Sequence, residues 1–146
     1  MLLPSGKFVS SSTPIYPGSH FTWGEVTKNC TRHLEDLYID GRLIVTAAEI
    51  EARILGTATQ LGKIRDELGG FPILVNSWYR PTGINKRVGG SKRSRHQFGD
   101  AVDIRSLSLS LSPKEIYTTV EPEHKGGISR YRHFVHIDWR GYKARW

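Results

Sequence analysis

Three side chains in the second half of the chain have the types and spacing expected of a metal site. His96 and Asp103 lie seven residues apart, and His136 follows further along the chain. Two imidazoles and one carboxylate can hold a catalytic zinc ion and leave a fourth position for water. The sequence therefore predicts a Zn²⁺ site, and hydrolysis is the chemistry that such a site favours.

The residues around the first two candidates allow their side chains to meet. A strand is predicted over Asp100–Ile104, in which Ala101 and Asp103 point to the same face. The small side chain of Ala101 leaves room for a metal ion beside the carboxylate. Gly99 allows the chain to turn, so that His96, at the end of the preceding loop, can reach Asp103.

The third candidate, His136, lies in a last predicted strand, Phe134–Arg140, where it shares a face with Phe134 and Asp138. A lone histidine or aspartate in a strand is more often a packed or surface residue than a metal ligand. Two histidines and an aspartate in this combined pattern are far more specific than any one of them alone.

The elements that must position these residues predict an α+β fold, with a small, mainly antiparallel sheet flanked by helices. Thr22 and Thr46 each stand three residues before a glutamate, which is the capping-box pattern of a helix N-terminus. Apolar residues then recur at steps of three or four from Ile50 to Leu68, as on one face of a helix. The other predicted elements are a loop or turn over Tyr38–Leu43, a buried strand over Pro72–Arg80, a basic loop over Pro81–Arg95 and a helix beginning at Ser112.

The length of 146 residues fits one domain with a substantial core. Residues 1–20 are rich in Ser, Pro and Gly and are predicted to form an extended N-terminal arm, and residues 21–146 form the domain that carries the metal site. The single cysteine, Cys30, excludes an internal disulfide and a zinc finger held by thiolates.

The formal net charge of +7 favours a polyanionic partner, such as nucleic acid, an anionic lipid surface or an anionic cell wall. No apolar run approaches the roughly 20 residues needed to cross a bilayer, so no membrane span is predicted. The basic residues between 86 and 95 are of the kind that grip phosphates, but such a run is more often a solvated loop. Nucleic acid is therefore not the expected partner.

Several motifs together carry a family resemblance. They are Ser94-x-His96-x-x-Gly99-x-Ala101-x-Asp103, His136-x-Asp138, and the segments Asn76–Arg80, Asn85–Gly90 and Gly126–Tyr131. This set resembles the zinc D-alanyl-D-alanine carboxypeptidase family, whose fold is shared with lysostaphin-type endopeptidases and the hedgehog signalling domain. The resemblance covers about Phe21 to Gly141 and implies that residues 21–146 are a zinc peptidase domain.

The resemblance also implies a role for each matched residue. His96, Asp103 and His136 would bind zinc. Arg80 would take part in catalysis by meeting the carbonyl or carboxylate of the substrate, a role that suits the forked donors of a guanidinium. Ser94 would orient the substrate or a ligand by hydrogen bonding.

The general base is where the sequence departs from the family. Members usually carry a glutamate or aspartate three residues before the last ligand, and this chain has His133 there. A neutral imidazole can accept the proton of the water and pass it to the leaving amine. Because residues three apart on a strand face opposite ways, His133 must lie in the preceding loop or on a bulge to reach the metal. Asp138 is the competing base, unless it holds a ligand imidazole in place.

The implied function is cleavage of D-amino-acid-containing bonds in peptidoglycan stem peptides, as a carboxypeptidase or an endopeptidase. The N-terminus lacks a secretory signal, so we expect a protein that is cytoplasmic until lysis or is associated with a virion. A phage endolysin or a tail-associated wall-degrading protein would fit. The alternative is a structural or binding module of a phage tail or baseplate, in which residues 1–20 dock onto neighbouring structural proteins.

Overall fold

The fold is of the α+β class predicted from the sequence, although short helices also fall between the strands. The computed structural model describes residues 1–146, except for the side chain of Leu109. The helices are α1 (Trp23–Thr27), α2 (Ala47–Glu67), α3 (Thr82–Arg87) and α4 (Pro113–Val120), with short 3₁₀ helices at Arg95–Phe98, Leu107–Leu109 and Glu121–Glu123. The strands are β1 (Leu37–Ile39), β2 (Arg42–Val45), β3 (Ile73–Ser77), β4 (Ala101–Ser106), β5 (Gly127–Arg130), β6 (Val135–Asp138) and β7 (Ala144–Arg145).

A five-stranded sheet supports the site. Its strand order is β3-β4-β6-β5-β7, and all neighbours are antiparallel except β5 and β7. The small, mainly antiparallel sheet that the sequence predicts is thereby confirmed. At its centre, the register of β4 against β6 pairs Asp103 with His136 and Ala101 with Asp138. A slip of one residue would move one side chain of each pair to the other face of the sheet.

Helix α2 packs its apolar face into the core. Its N-terminus is capped by Thr46, whose side-chain oxygen accepts a hydrogen bond from the Glu49 amide. The face predicted from the spacing is buried, and its buried apolar residues are Ile50, Ile54, Ala58, Leu61 and Ile64. Among the described residues we find no helix with the length and apolar character that crossing a membrane requires.

Of the two capping boxes predicted from the sequence, the one at Thr22 is complete, whereas at Thr46 only the hydrogen bond to the Thr46 side chain forms. In α1 the side chains of Thr22 and Glu25 each accept a hydrogen bond from the other's backbone amide. Ser112 and Glu115 do the same at the start of α4, where Pro113 occupies the first position of the helix.

Two segments predicted as loops contain regular structure. The predicted loop or turn at Tyr38–Leu43 is the centre of a hairpin of β1 and β2, joined by Asp40 and Gly41, which both have positive φ. The strands are three and four residues long, and most of β2 is exposed, so they lack a periodic apolar signal. Helix α3 forms within the predicted basic loop without a side-chain cap, which removes the sequence signal for its start.

The first twenty residues lack regular helix or strand, as predicted, but they do not extend away from the domain. Only isolated bridges form there, between Leu2 and Phe8 and from Pro14 to Thr22. The side chains of Leu3, Val9 and Ile15 are nevertheless buried in the hydrophobic core. Three core residues thus come from this segment, whereas the side chains of Leu2 and Phe8 remain exposed.

Replacement of Gly99 by alanine is predicted to destabilise the fold, because this glycine closes the 3₁₀ helix of His96 directly against α2. Its φ is +80°, and a Cβ would lie 2.9 Å from Ile54 Cγ1 and 3.2 Å from the Ile50 carbonyl oxygen. Left-handed strain and overpacking together predict a loss of about 2–4 kcal/mol in the free energy of unfolding, measured by urea denaturation.

The matched control is Gly56→Ala in the middle of α2, where an added Cβ meets nothing within 4 Å. This variant should gain up to about 1 kcal/mol from the better helix propensity of alanine. Equal denaturation midpoints for the two variants would contradict the account of Gly99.

Candidate metal centre

The structure brings the three predicted metal ligands together at one point. His96, Asp103 and His136 are buried, and each offers a ligand atom within 4.8 Å of the others. Asp103 Oδ1 lies 3.2 Å from His96 Nε2 and 2.9 Å from His136 Nδ1. The carboxylate therefore sits between two inward-facing ring nitrogens.

His96 is held by the chain that leaves β3. Its carbonyl oxygen accepts a hydrogen bond of 3.0 Å from the Arg80 amide, and the Trp78 indole donates to the Gly99 carbonyl at 2.9 Å. The N-terminal cap of its 3₁₀ helix is Ser94, whose hydroxyl accepts from the His96 amide. These contacts fix the position of the His96 ring before any ligand binds.

In each imidazole, one nitrogen faces Asp103 (the inner nitrogen) and the other faces away from it (the outer nitrogen). The hydrogen bond made by the outer nitrogen determines whether the inner one carries a hydrogen. His96 Nδ1 lies 2.6 Å from the carbonyl oxygen of Trp78, which can only accept, so Nδ1 carries the hydrogen. His136 Nε2 donates in the same way to Asp138 Oδ2 at 2.8 Å. In the neutral rings, the lone pairs of His96 Nε2 and His136 Nδ1 therefore point to the Asp103 carboxylate.

Asp138 is built into the structure as the partner of His136. It is fully buried, and its carboxylate accepts hydrogen bonds from Arg140 Nε at 2.8 Å and Nη2 at 2.6 Å, and from the Gly127 amide at 3.1 Å. A Cβ at Gly127 would lie 2.4 Å from Asp138 Oδ2, so only glycine leaves space for this carboxylate. A carboxylate that holds the outer nitrogen of a ligand imidazole orients the ring and raises its basicity.

The charges of the site follow from these contacts. Burial raises the pKa of Asp138, but hydrogen bonds from Arg140 and His136 outweigh it and hold that pKa well below its ordinary value. For Asp103 burial also raises the pKa, but the contacts with His136 and His96 outweigh it and leave the pKa far below its ordinary value. Burial lowers the pKa of His136, and its bonds to Asp103 and Asp138 raise it by more, so the net shift is upward.

These donors fit a divalent cation. Three lone-pair donors converge on one point, and without a positive charge between them they would repel one another. Two imidazole nitrogens and a carboxylate oxygen form a set that Zn²⁺ binds, with an open position for a reacting water. Since the raised pKa of His136 favours a proton on its ring in the metal-free protein, a bound metal has to displace that proton.

The donor cluster lies in a cavity of about 750 Å³ whose lining includes four arginines. Arg95 and Arg140 are paired with the buried carboxylates of Asp100 and Asp138. Arg80 is less completely paired, which leaves it available to a ligand. Its Nη2 lies 3.9 Å from Asp103 Oδ2, and its buried Nε has no hydrogen-bond partner among the described residues.

The remaining predicted site residues differ in their placement. Ser94 lines the cavity as well as capping the 3₁₀ helix. His133 precedes β6, on an exposed turn, which is the loop placement that strand geometry requires of it. Its side chain is not part of the cavity lining, although Tyr131 and Phe134 on the same turn are.

Sequence reasoning missed several residues of the site. Arg140 lies two residues after Asp138, and this spacing was the available signal, because alternate residues of an extended chain share a face. Asp100 anchors the loop of His96 through Arg95, which is close to it in sequence, and through Arg53, which is distant and gave no local signal. Trp146 also lines the cavity, beyond all the motifs recognised in the sequence.

An α+β domain with a His-Asp-His cluster in an arginine-lined cavity is an arrangement that can hold a divalent metal ion. The chain belongs to the Peptidase M15 family, whose sequence model matches residues 20–138. It is also 40% identical, over 60 residues, to the "Zinc D-Ala-D-Ala carboxypeptidase" of Streptomyces albus G. That stretch is 41% of this chain and 24% of the Streptomyces enzyme, so the match spans about a quarter of the relative's length. The family resemblance is confirmed.

The variant Asp138→Asn is predicted to bind metal more weakly without losing a direct ligand. The side-chain amide of asparagine is uncharged, so its hydrogen bond to the outer nitrogen of His136 is weaker than that of the carboxylate. Loss of such a partner typically costs about 10–100-fold in metal affinity. Competition against a chromophoric chelator measures this affinity, and circular dichroism checks that the variant is folded. Asp66→Asn, at an exposed position in α2, is the control. Unchanged affinity in a folded Asp138→Asn protein would contradict the role given to Asp138.

Proposed function

We propose that this protein is a zinc-dependent peptidase that cleaves D-amino-acid-containing bonds in the stem peptides of peptidoglycan. The observation that carries the proposal is the convergence of His96, Asp103 and His136, with both outer nitrogens already hydrogen-bonded, at the base of an arginine-lined cavity. A zinc ion bound there would lower the pKa of its water to about 7 and polarise the scissile carbonyl.

Arg80 has the position of a substrate-binding and catalytic residue. Its guanidinium reaches the edge of the donor cluster, and it is mostly enclosed, with a side chain 15% exposed. A guanidinium in this place would bind the carbonyl oxygen of the scissile bond, or a substrate carboxylate beside it. Ser94 would support the same substrate through a hydrogen bond, since it lines the cavity close to His96.

His133 is the proton acceptor in this proposal. Asp138, its competitor, is completely buried and saturated by Arg140, His136 and Gly127, so its carboxylate is not free to receive a proton from water. His133 is exposed, and its turn borders the cavity through Tyr131 and Phe134. A rotation of this side chain toward the cavity would allow it to accept the proton and transfer it to the leaving amine.

The substrate assignment rests on chemistry and on the relative. Peptidoglycan stem peptides carry carboxylates, which the arginines of the cavity would attract, and the net charge of +7 would hold the protein near an anionic wall. The name of the Streptomyces relative specifies a D-Ala-D-Ala substrate for that enzyme. Release by host lysis as a phage endolysin, or attachment to a phage tail, remains part of the proposal. A purely structural module is less favoured, because Leu3, Val9 and Ile15 anchor residues 1–20 to the protein's own core.

The proposed activity predicts that zinc-loaded protein will cleave purified peptidoglycan and a defined stem pentapeptide ending in D-Ala-D-Ala. Mass spectrometry of the products identifies the bond, and a chelator should abolish cleavage until zinc is restored. The variant Asp103→Asn serves as the control, since it removes the only negative charge among the three predicted ligands. A folded protein that binds zinc and cleaves neither substrate would contradict the proposal.

The role of His133 predicts that His133→Ala keeps its metal but loses turnover. Removal of a general base typically lowers kcat by about 10²–10⁴-fold, and zinc content should stay unchanged because His133 is not a ligand. The control is His33→Ala, another exposed histidine, which lies outside the cavity lining. Turnover by His133→Ala that equals the turnover of the control would eliminate this residue as the base.

A further inference from the structure

A continuous row of aromatic side chains borders the cavity on the side of β6 and β7. We call it the aromatic rim, and it consists of Tyr131, Phe134, Tyr142 and Trp146, with Arg140 between the last two. The rings of Tyr131 and Phe134 are stacked, with centroids 4.6 Å apart. The guanidinium of Arg140 lies 5.0 Å from the Trp146 ring and 5.7 Å from the Tyr142 ring.

Three of these rings are exposed to an extent that is unusual for large aromatic side chains. The exposed fraction is 43% for Tyr131, 65% for Tyr142 and 55% for Trp146. Clustered apolar surface of this kind on a soluble protein marks a place where a ligand or partner binds. Because all three line the cavity that holds the donor cluster, the ligand that they would contact is the one that enters this cavity.

The aromatic rim is held in a fixed position relative to the donor cluster. The Trp146 indole donates to the Tyr131 hydroxyl at 3.0 Å, and the Trp146 carbonyl accepts from Ser129 Oγ at 2.8 Å. Ser129 is the cross-strand partner of His136, and the His136 and Trp146 rings lie 5.2 Å apart. Little conformational entropy is lost when a ligand contacts rings that are already placed.

We propose that the aromatic rim binds the pyranose rings of a glycan that is covalently attached to the scissile peptide. This inference rests on the proposed function, because it takes the substrate to be a stem peptide joined to an amino-sugar strand. The apolar C–H face of a pyranose stacks on an aromatic ring, and its hydroxyl and acetamido groups accept hydrogen bonds from donors at the ring edges. Arg140 and the hydroxyls of Tyr131 and Tyr142 supply such donors beside exposed rings.

The rim also lies partly outside the part of the chain that defines the family. The family match ends at residue 138, whereas Tyr142 and Trp146 follow it. A cavity of about 750 Å³ has the size of sites that enclose a whole small ligand. It thus has space for a sugar next to the peptide at the donor cluster, so the rim would make the enzyme prefer glycan-linked peptide over free peptide.

The test compares the kcat/KM values for a free stem peptide and for the same peptide linked to its N-acetylglucosaminyl-N-acetylmuramyl disaccharide. Wild-type protein should prefer the linked substrate. Tyr142→Ala should lose roughly tenfold on the linked substrate, equivalent to about 1.4 kcal/mol, and change little on the free peptide. Trp146→Ala should lose more on the linked substrate than on the free peptide. Phe71→Ala is the matched control, since Phe71 is an exposed aromatic residue just before the edge strand β3.

Equal kcat/KM values for the two substrates in the wild type would overturn the proposal. So would a loss in Trp146→Ala that is the same on both substrates, or that is accompanied by loss of zinc, because the ring would then only support His136.

A binding assay keeps the inference separate from the peptidase activity. Titration of metal-free protein with the N-acetylglucosamine tetrasaccharide, followed by NMR of the tryptophan indole resonances, should shift the Trp146 signal even if no peptide is cleaved. Absence of that shift would refute the sugar site independently of catalysis.

Discussion

The pairing of β4 with β6 is the constraint on which the site depends, because it sets Asp103 directly beside His136. Backbone hydrogen bonds hold the two residues in register, so two of the three donors are placed by the sheet itself. The same register sets Ala101 beside Asp138, and Gly127 of β5 pairs with Asp138 from the other side. The small residues Ala101 and Gly127 thus make space for the buried carboxylate of Asp138.

A layer of hydrogen bonds behind the donors controls their chemistry. The carbonyl of Trp78 and the carboxylate of Asp138 each take the outer hydrogen of one imidazole, which leaves the inner nitrogens as lone-pair donors. Asp138 can remain charged in the interior because Arg140 forms two hydrogen bonds with it. The metal affinity of the centre and the stability of the surrounding fold are therefore coupled through the same buried charges.

Local patterns predicted much of the fold. The helices that begin after Thr22, Thr46 and Ser112 carry their start signals in neighbouring residues, and each of these side chains caps its helix, although the full capping box predicted at Thr46 does not form. The short strands β1 and β2 and the uncapped helix α3 lack such signals, so they were predicted as turn and loop. The extended arm predicted for residues 1–20 packs on the core instead. Its buried residues Leu3, Val9 and Ile15 lie six positions apart, too far to display the three- and four-residue steps of a helix or the alternation of a strand.

The sequence by itself determined which side chains could form the metal centre and to which family the chain belongs, because residue type and spacing carry that information. It could not determine which residues form hydrogen bonds and ring contacts with those side chains. The partners of His96, Asp100 and the rim residue Trp146 come from segments that are distant along the chain. Only tertiary folding brings them into contact, since hydrogen bonds and ring contacts depend on separation in space and not on separation in sequence.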